Sequence, residues 1–158
     1  GIAVLSCSIG VTAPSLYNAF GSKHGLFEAA VIQYEALQGE FILTAVQSAN
    51  SSMDLMGRVL VSAAAAYTQS SRPRGCLVLD GAKNSDCVNA TEIVLERQTA
   101  MLAFLKKSFS AYQRKGAARK AFYTLTAMRG LSSSARMGAN RKQLTEVAYY
   151  FANGKDFA

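Results

Sequence analysis

Tryptophan is absent from this chain, histidine occurs once, proline twice and cysteine three times in 158 residues. Each scarcity excludes something. The one histidine, His24, has no carboxylate pair, phosphate loop or serine-elbow pattern around it, so no catalytic constellation is legible and the chain does not read as an enzyme. The cysteines Cys7, Cys76 and Cys87 are scattered. They form no CxxC pair and no Cys/His cluster, so no metal site and no cofactor are expected. They read as reduced thiols of a cytoplasmic protein. No apolar run reaches membrane-spanning length without interruption, and no signal peptide opens the sequence. With half its residues apolar and 17% charged, the chain is not a disordered tail. Long proline-free stretches rich in Ala, Leu, Met, Gln, Arg and Lys favour helix over sheet.

Negative charge is also scarce in one place. Between Glu96 and Glu146 there is no carboxylate, whereas Arg97, Lys106, Lys107, Arg114, Lys115, Arg119, Lys120, Arg129, Arg136, Arg141 and Lys142 all fall there. Most of the +7 net charge therefore lies late in the chain. The first 35 residues hold Lys23 against Glu28 and Glu35. A run of cations is first a solvated helix face, so the charge total is weak support for DNA binding.

The pattern of residues predicts an all-α fold. Residues 2–9 form a short apolar segment closed by Gly10. Thr12 then caps a helix beginning Ala13-Pro14-Ser15, because threonine accepts from free helix N–H groups and proline is tolerated in a first turn. Leu16 and Phe20 lie four apart on one face of it, opposite Ile2, Leu5 and Ile9. Gly21 closes that helix and Ser22 caps the next, which starts at Lys23. Leu26, Ala30, Tyr34 and Leu37, continued by Phe41 and Ala45, predict one long helix. It breaks at Asn50-Ser51-Ser52. A helix from Met53 carries Leu55, Met56, Val59, Leu60, Ala63 and Tyr67, and stops before Pro73. Residues 76–79 predict a short buried helix, 81–89 a polar connector, and 90–114 a long helix ended by Lys115-Gly116. Two more helices follow, the last ended by Gly154. A small N-terminal unit, 1–36, is thus expected to join a larger body, 37–158, directly through the helix that starts at Lys23.

Residues 9–23 carry the functional signal. Ile9-Gly10-Val11-Thr12, then Leu16-Tyr17, Phe20 and Lys23 at these spacings, resemble the DNA-binding signature of the TetR family of transcriptional regulators. The likeness is close over residues 2–31. A glycine-containing turn lets two helices cross at a large angle, so the second can enter a major groove. Small residues at its N-terminus allow close approach to base edges, and Asn18 offers an amide to adenine or phosphate. The resemblance implies that Tyr17 and Lys23 hold phosphates. Lys23 also lies at a helix N-terminus, where free N–H groups favour an anion. The expected DNA-binding set is Thr12, Ala13, Pro14, Ser15, Tyr17, Asn18, Lys23 and His24. The family supplies a further helix before the position of Ile2, and a longer, often acidic loop where residues 115–122 stand; the sequence is expected to lack both.

The later part resembles the family more loosely, through Pro73-Arg74-Gly75-Cys76-Leu77 and the stretch from Gly130 to Ala139. The resemblance implies a homodimer formed by the last two helices, for which Phe122, Leu125, Met128, Leu144, Val147, Ala148 and Phe151 offer stripes. A two-fold dimer suits a palindromic double-stranded operator. It also implies a small-molecule effector held in the body. Tyr67, Cys76, Met101, Leu105, Phe109 and Tyr112 are the candidate lining, with Phe122 and Met128 at its margin; ordinary core packing is the alternative for each. The mixed aromatic, methionine and cysteine character suggests a modestly apolar ligand, and Cys76 could instead be a reactive thiol. The function expected is a repressor released from its operator by that ligand. A helical ligand-binding or adaptor protein without DNA binding is the alternative.

Overall fold

The computed structural model describes residues 2–80 and 88–153. Every element among them is helical: α1 Ile2–Ile9, α2 Ala13–Phe20, α3 Lys23–Gln38, α4 Glu40–Ser48, α5 Ser52–Tyr67, α6 Leu77–Asp80, α7 Val88–Ser110, α8 Ala117–Arg136 and α9 Arg141–Asn153. No single helix among the described residues is long and apolar enough to cross a membrane. Cys87, Gly154 and residues 81–87 of the expected connector lie outside the described residues.

The body is built around α5, which is enclosed by α4, α8 and α9, while α7 packs along α8. Leu55, Val59, Leu60, Ala63 and Ala64 are fully buried in α5. Their spacing spreads them over about half of the helix circumference, a wide apolar face that can meet several neighbours at once. Alanines at 63 and 64 let neighbouring backbones approach closely. Ser51 caps α5 by accepting from the Asp54 N–H at 3.1 Å, and the Asp54 carboxylate reaches back to accept from the Asn50 N–H at 2.8 Å. Two free donors are satisfied reciprocally. Leu105 and Phe109 of α7 and Leu125, Met128 and Leu131 of α8 complete one continuous core.

The N-terminal unit behaves differently. Among its residues α2 buries only Leu16, and Leu16 lies outside the main core. Leu5 and Phe20 are 39% exposed and Ile9 is 53% exposed. These three were expected opposite one another in a core. Two eight-residue helices that cross steeply touch at one point, however, and cannot bury two faces against each other.

Two further boundaries and one helix face differ from the sequence pattern. The expected helix from Lys23 to residue 49 is two, α3 and α4, broken at Gly39. Ile42 N–H bonds back to the Gly39 carbonyl, three residues away, so the turn tightens there; glycine is a common site of such a break. The buried line of α3 is Val31 with Phe27 and Tyr34 beside it, whereas Ala30 and Leu37 face solvent. The helix expected at 90–114 is α7, which ends at Ser110. Tyr112 follows it in a turn and is held there because its hydroxyl donates to the Ala49 carbonyl at 2.7 Å.

Candidate nucleic-acid interface and ligand cavity

The chain bends by 100° between α1 and α2. That lies within the range of helix-turn-helix units, about 90–120°. The turn is made by Gly10, whose φ of 72° is a left-handed value that glycine adopts at little cost. Thr12 starts α2 in extended conformation and its side chain accepts from the Ser15 N–H at 3.3 Å. Its hydroxyl also lies 2.8 Å from the Ser15 hydroxyl. Pro14 occupies the first turn of α2, where its missing N–H is no loss. Gly21 ends the helix with φ 72°, its N–H bonded to the Tyr17 carbonyl at 2.7 Å. Ser22 caps α3 by accepting from the Gly25 N–H at 3.0 Å.

These turns leave one outward face. Thr12, Pro14, Ser15, Tyr17, Asn18 and Lys23 are exposed, and Ala13 is half-buried. Leu16 anchors the helix from the opposite side. His24 is half-buried, with its Nδ1 enclosed and without a hydrogen-bond partner. Gly25 was not singled out in the sequence. A β-carbon there would stand 2.2 Å from the Phe20 carbonyl oxygen, so α2 and α3 meet only because that position is bare.

The body holds a partly open cavity of about 60 Å³ between α3, α4, α5, α6, α7 and α8. Of the expected lining residues, Tyr67, Cys76 and Met101 line it, joined by Met128. Leu105 and Phe109 are fully buried in the core away from it. Tyr112 stands at the end of α7 against α4, and Phe122 is exposed on α8. Tyr34, Glu35, Gln38, Phe41, Arg97 and Gln98 line the cavity as well. The first four stand on the helices either side of Gly39, at a helical spacing that keeps them on one face.

Tyr34 and Tyr67 converge on the Cys76 thiol. Burial pushes all three groups up from their ordinary pKa, and the contacts between them add to the effect on both tyrosines. The cluster is neutral. Because the Cys76 thiolate is disfavoured, the environment opposes the reactive-thiol reading. The Cys76 N–H donates to the Ser132 hydroxyl at 2.7 Å, and that hydroxyl donates in turn to the Asp80 carboxylate. The loop before α6 is thus tied to α8.

Of the residues expected in a dimer interface, Leu125, Met128, Leu144 and Ala148 are within 2% of full burial in the chain's own core. They face inward because α8 and α9 pack on α5. Phe122, Val147 and Phe151 are exposed, as is Tyr123. Tyr123, Gly130, Val147 and Phe151 line an apolar surface groove of about 300 Å³ between α8 and α9.

A helix-turn-helix joined by one helix to a helical body that contains a cavity is the architecture of one-component DNA-binding regulators. No family model matches the chain. It is 29% identical to the HTH-type transcriptional repressor BdcR of Escherichia coli (strain K12) over 147 residues, covering 93% of this chain and 74% of the relative. Its fold matches a cysteine mutant of the TetR family transcriptional regulator CifR, complexed with 26bp double-strand operator DNA, at a TM-score of 0.87 and 24% identity. That match covers 98% of this chain and 85% of the other. A Rhodococcus sp. RHA1 chain described as a TetR transcriptional regulator matches at a TM-score of 0.65 and 25% identity, over 96% of this chain and 86% of that one. In fold the chain is similar to TetR-family transcriptional regulators.

Proposed function

We propose that the chain is a DNA-binding transcriptional repressor that a small molecule releases from its operator. One observation carries this reading: the 100° bend at Gly10 leaves Pro14, Ser15, Tyr17 and Asn18 exposed along α2, with Lys23 following at the start of α3. In this reading α2 enters the major groove, Ser15 and Asn18 reach base edges, and Tyr17 and Lys23 hold phosphates on either side. Residues 1–36 form the DNA-reading unit, and residues 37–158 form the ligand-binding and dimerising body. The relative BdcR is a repressor, and the CifR structure holds operator DNA; both support the assignment.

The chain acts as a homodimer on a palindromic operator in the cytoplasm, with no catalytic role. The exposed aromatic and aliphatic side chains of α8 and α9 support the dimer, because contiguous apolar surface of that kind is normally covered. Two copies related by a two-fold axis present two α2 helices to half-sites about 34 Å apart, or a multiple of that.

The test is a gel shift with DNA flanking the gene, repeated with Tyr17→Ala and Lys23→Ala. Each substitution is expected to weaken binding about fivefold or more, for a loss of about 1–3 kcal/mol per contact. The Lys23 variant should also show a shallower dependence on salt. Unchanged affinity in both variants, or binding insensitive to salt, overturns the assignment of α2 and Lys23 to DNA.

A further inference from the structure

Glu35 on α3 faces Arg97 on α7 with 3.8 Å between carboxylate oxygen and guanidinium nitrogen. Hydrogen-bonded pairs of this type close to about 2.7–2.9 Å. The pair therefore attracts without a full hydrogen bond. Arg97 also has an Nε that is buried and without a hydrogen-bond partner. A guanidinium offers five donors in one plane, and here that capacity stands partly unused at the wall of a cavity. Gln98, beside Arg97, is committed elsewhere. The Gln98 amide donates to the Val78 carbonyl at 2.8 Å, and its oxygen accepts from Arg129 at 2.7 Å. Tyr34, Tyr67 and Cys76 are held neutral by burial. The rest of the lining is largely apolar.

We propose that the effector is a small apolar molecule bearing one carboxylate, which binds Arg97 in place of Glu35. The inference rests on the ligand-released reading above and names the chemistry of its effector. The apolar body would lie against Phe41, Met101 and Met128, and the carboxylate would take the donors that Glu35 leaves unfilled. Glu35 gives way readily. Its side chain is 38% exposed, so it turns into water, and a half-exposed ion pair holds little net energy. Two carboxylates crowded on one guanidinium repel, so the ligand and Glu35 compete for Arg97.

The size of the cavity links this exchange to α3. At about 60 Å³ it is well below the roughly 300–1,000 Å³ of ordinary ligand sites. A ligand must widen it, and Tyr34, Glu35 and Gln38 of α3 form one wall. Binding therefore pushes α3 outward while removing its charged tie to α7.

The test is calorimetry on the whole chain without DNA, titrating benzoate and, as its neutral counterpart, benzamide. Benzoate is expected to bind at least about tenfold more tightly, as a charged acceptor on a guanidinium should. Arg97→Gln should erase that preference. Glu35→Gln removes the competitor and should raise benzoate affinity. Equal affinities, tighter benzamide, no binding of either, a preference that survives Arg97→Gln, or weaker benzoate binding in Glu35→Gln each overturns the proposal. Melting curves of both variants report folding, and Glu35→Gln decides the matter if Arg97→Gln does not fold. Gel shifts are read separately. Benzoate selectivity without operator binding would sink the repressor reading alone.

Discussion

Ser132 stands where no helical periodicity would direct attention. It is fully buried on α8, accepts from the Cys76 N–H and donates to Asp80. Its hydroxyl is what lets an irregular loop lie against a helix, because the loop's backbone donor would otherwise be buried without an acceptor. Ser132→Ala is expected to destabilise the chain by about 1–3 kcal/mol. A urea melt should show the midpoint falling with an unchanged slope. An unaltered midpoint would mean that solvent reaches this junction. The sequence marked Ser132 only as part of a landmark; hydrogen bonds between residues more than fifty positions apart leave no local trace.

At the level of helices, the caps were legible because they are local. Thr12 and Ser22 each lie three residues before the N–H that they receive, and that spacing is visible in a sequence; Ser51 caps α5 in the same way but reads in the sequence only as part of a break. What one helix does to another was not. The contact of Gly25 with the Phe20 carbonyl, and the break at Gly39, arise where chain segments meet. The same limit applies to the cavity. Tyr67, Cys76 and Met101 stand out in the sequence by their chemistry, whereas Arg97 reads as one of many cations on a solvated face. Leu125, Leu144 and Ala148 were assigned outward because a stripe in sequence does not say which of two surfaces it meets. Gly25→Ala tests the junction of α2 with α3. Its β-carbon cannot fit 2.2 Å from a backbone oxygen, so the two helices must spread. We expect faster amide exchange across residues 13–27, with the melting of the body little changed, since Leu16 lies outside the main core. Protection of α2 equal to that of the native chain would refute the prediction.

The body and the N-terminal unit differ in how much they bury. The core runs without interruption from α3 to α9, whereas α1 and α2 leave Leu5, Ile9 and Phe20 partly in water. A further uncovered apolar surface is on α8 and α9. If it joins two copies, charge placed there should separate them without unfolding either. Val147→Glu with Phe151→Glu substitutes side chains already 44% exposed, so each monomer should melt as before. Sedimentation should shift from dimer to monomer at micromolar concentration, and operator affinity should fall with it. Retention of the dimer would place the interface elsewhere.

The break at Gly39 turns α3 into a lever. Its 16 residues, at about 1.5 Å each, give an arm of about 24 Å. A tilt of about 10° at the Gly39 end carries the Lys23 end through about 4 Å, more than the rise of one base pair, about 3.4 Å. The fulcrum is a single tightened turn, so α4 and α5 need not turn with the arm. Val31, fully buried about midway along the arm, moves only about half as far, so a small adjustment of the core is magnified to the dimension in which a DNA sequence is ruled.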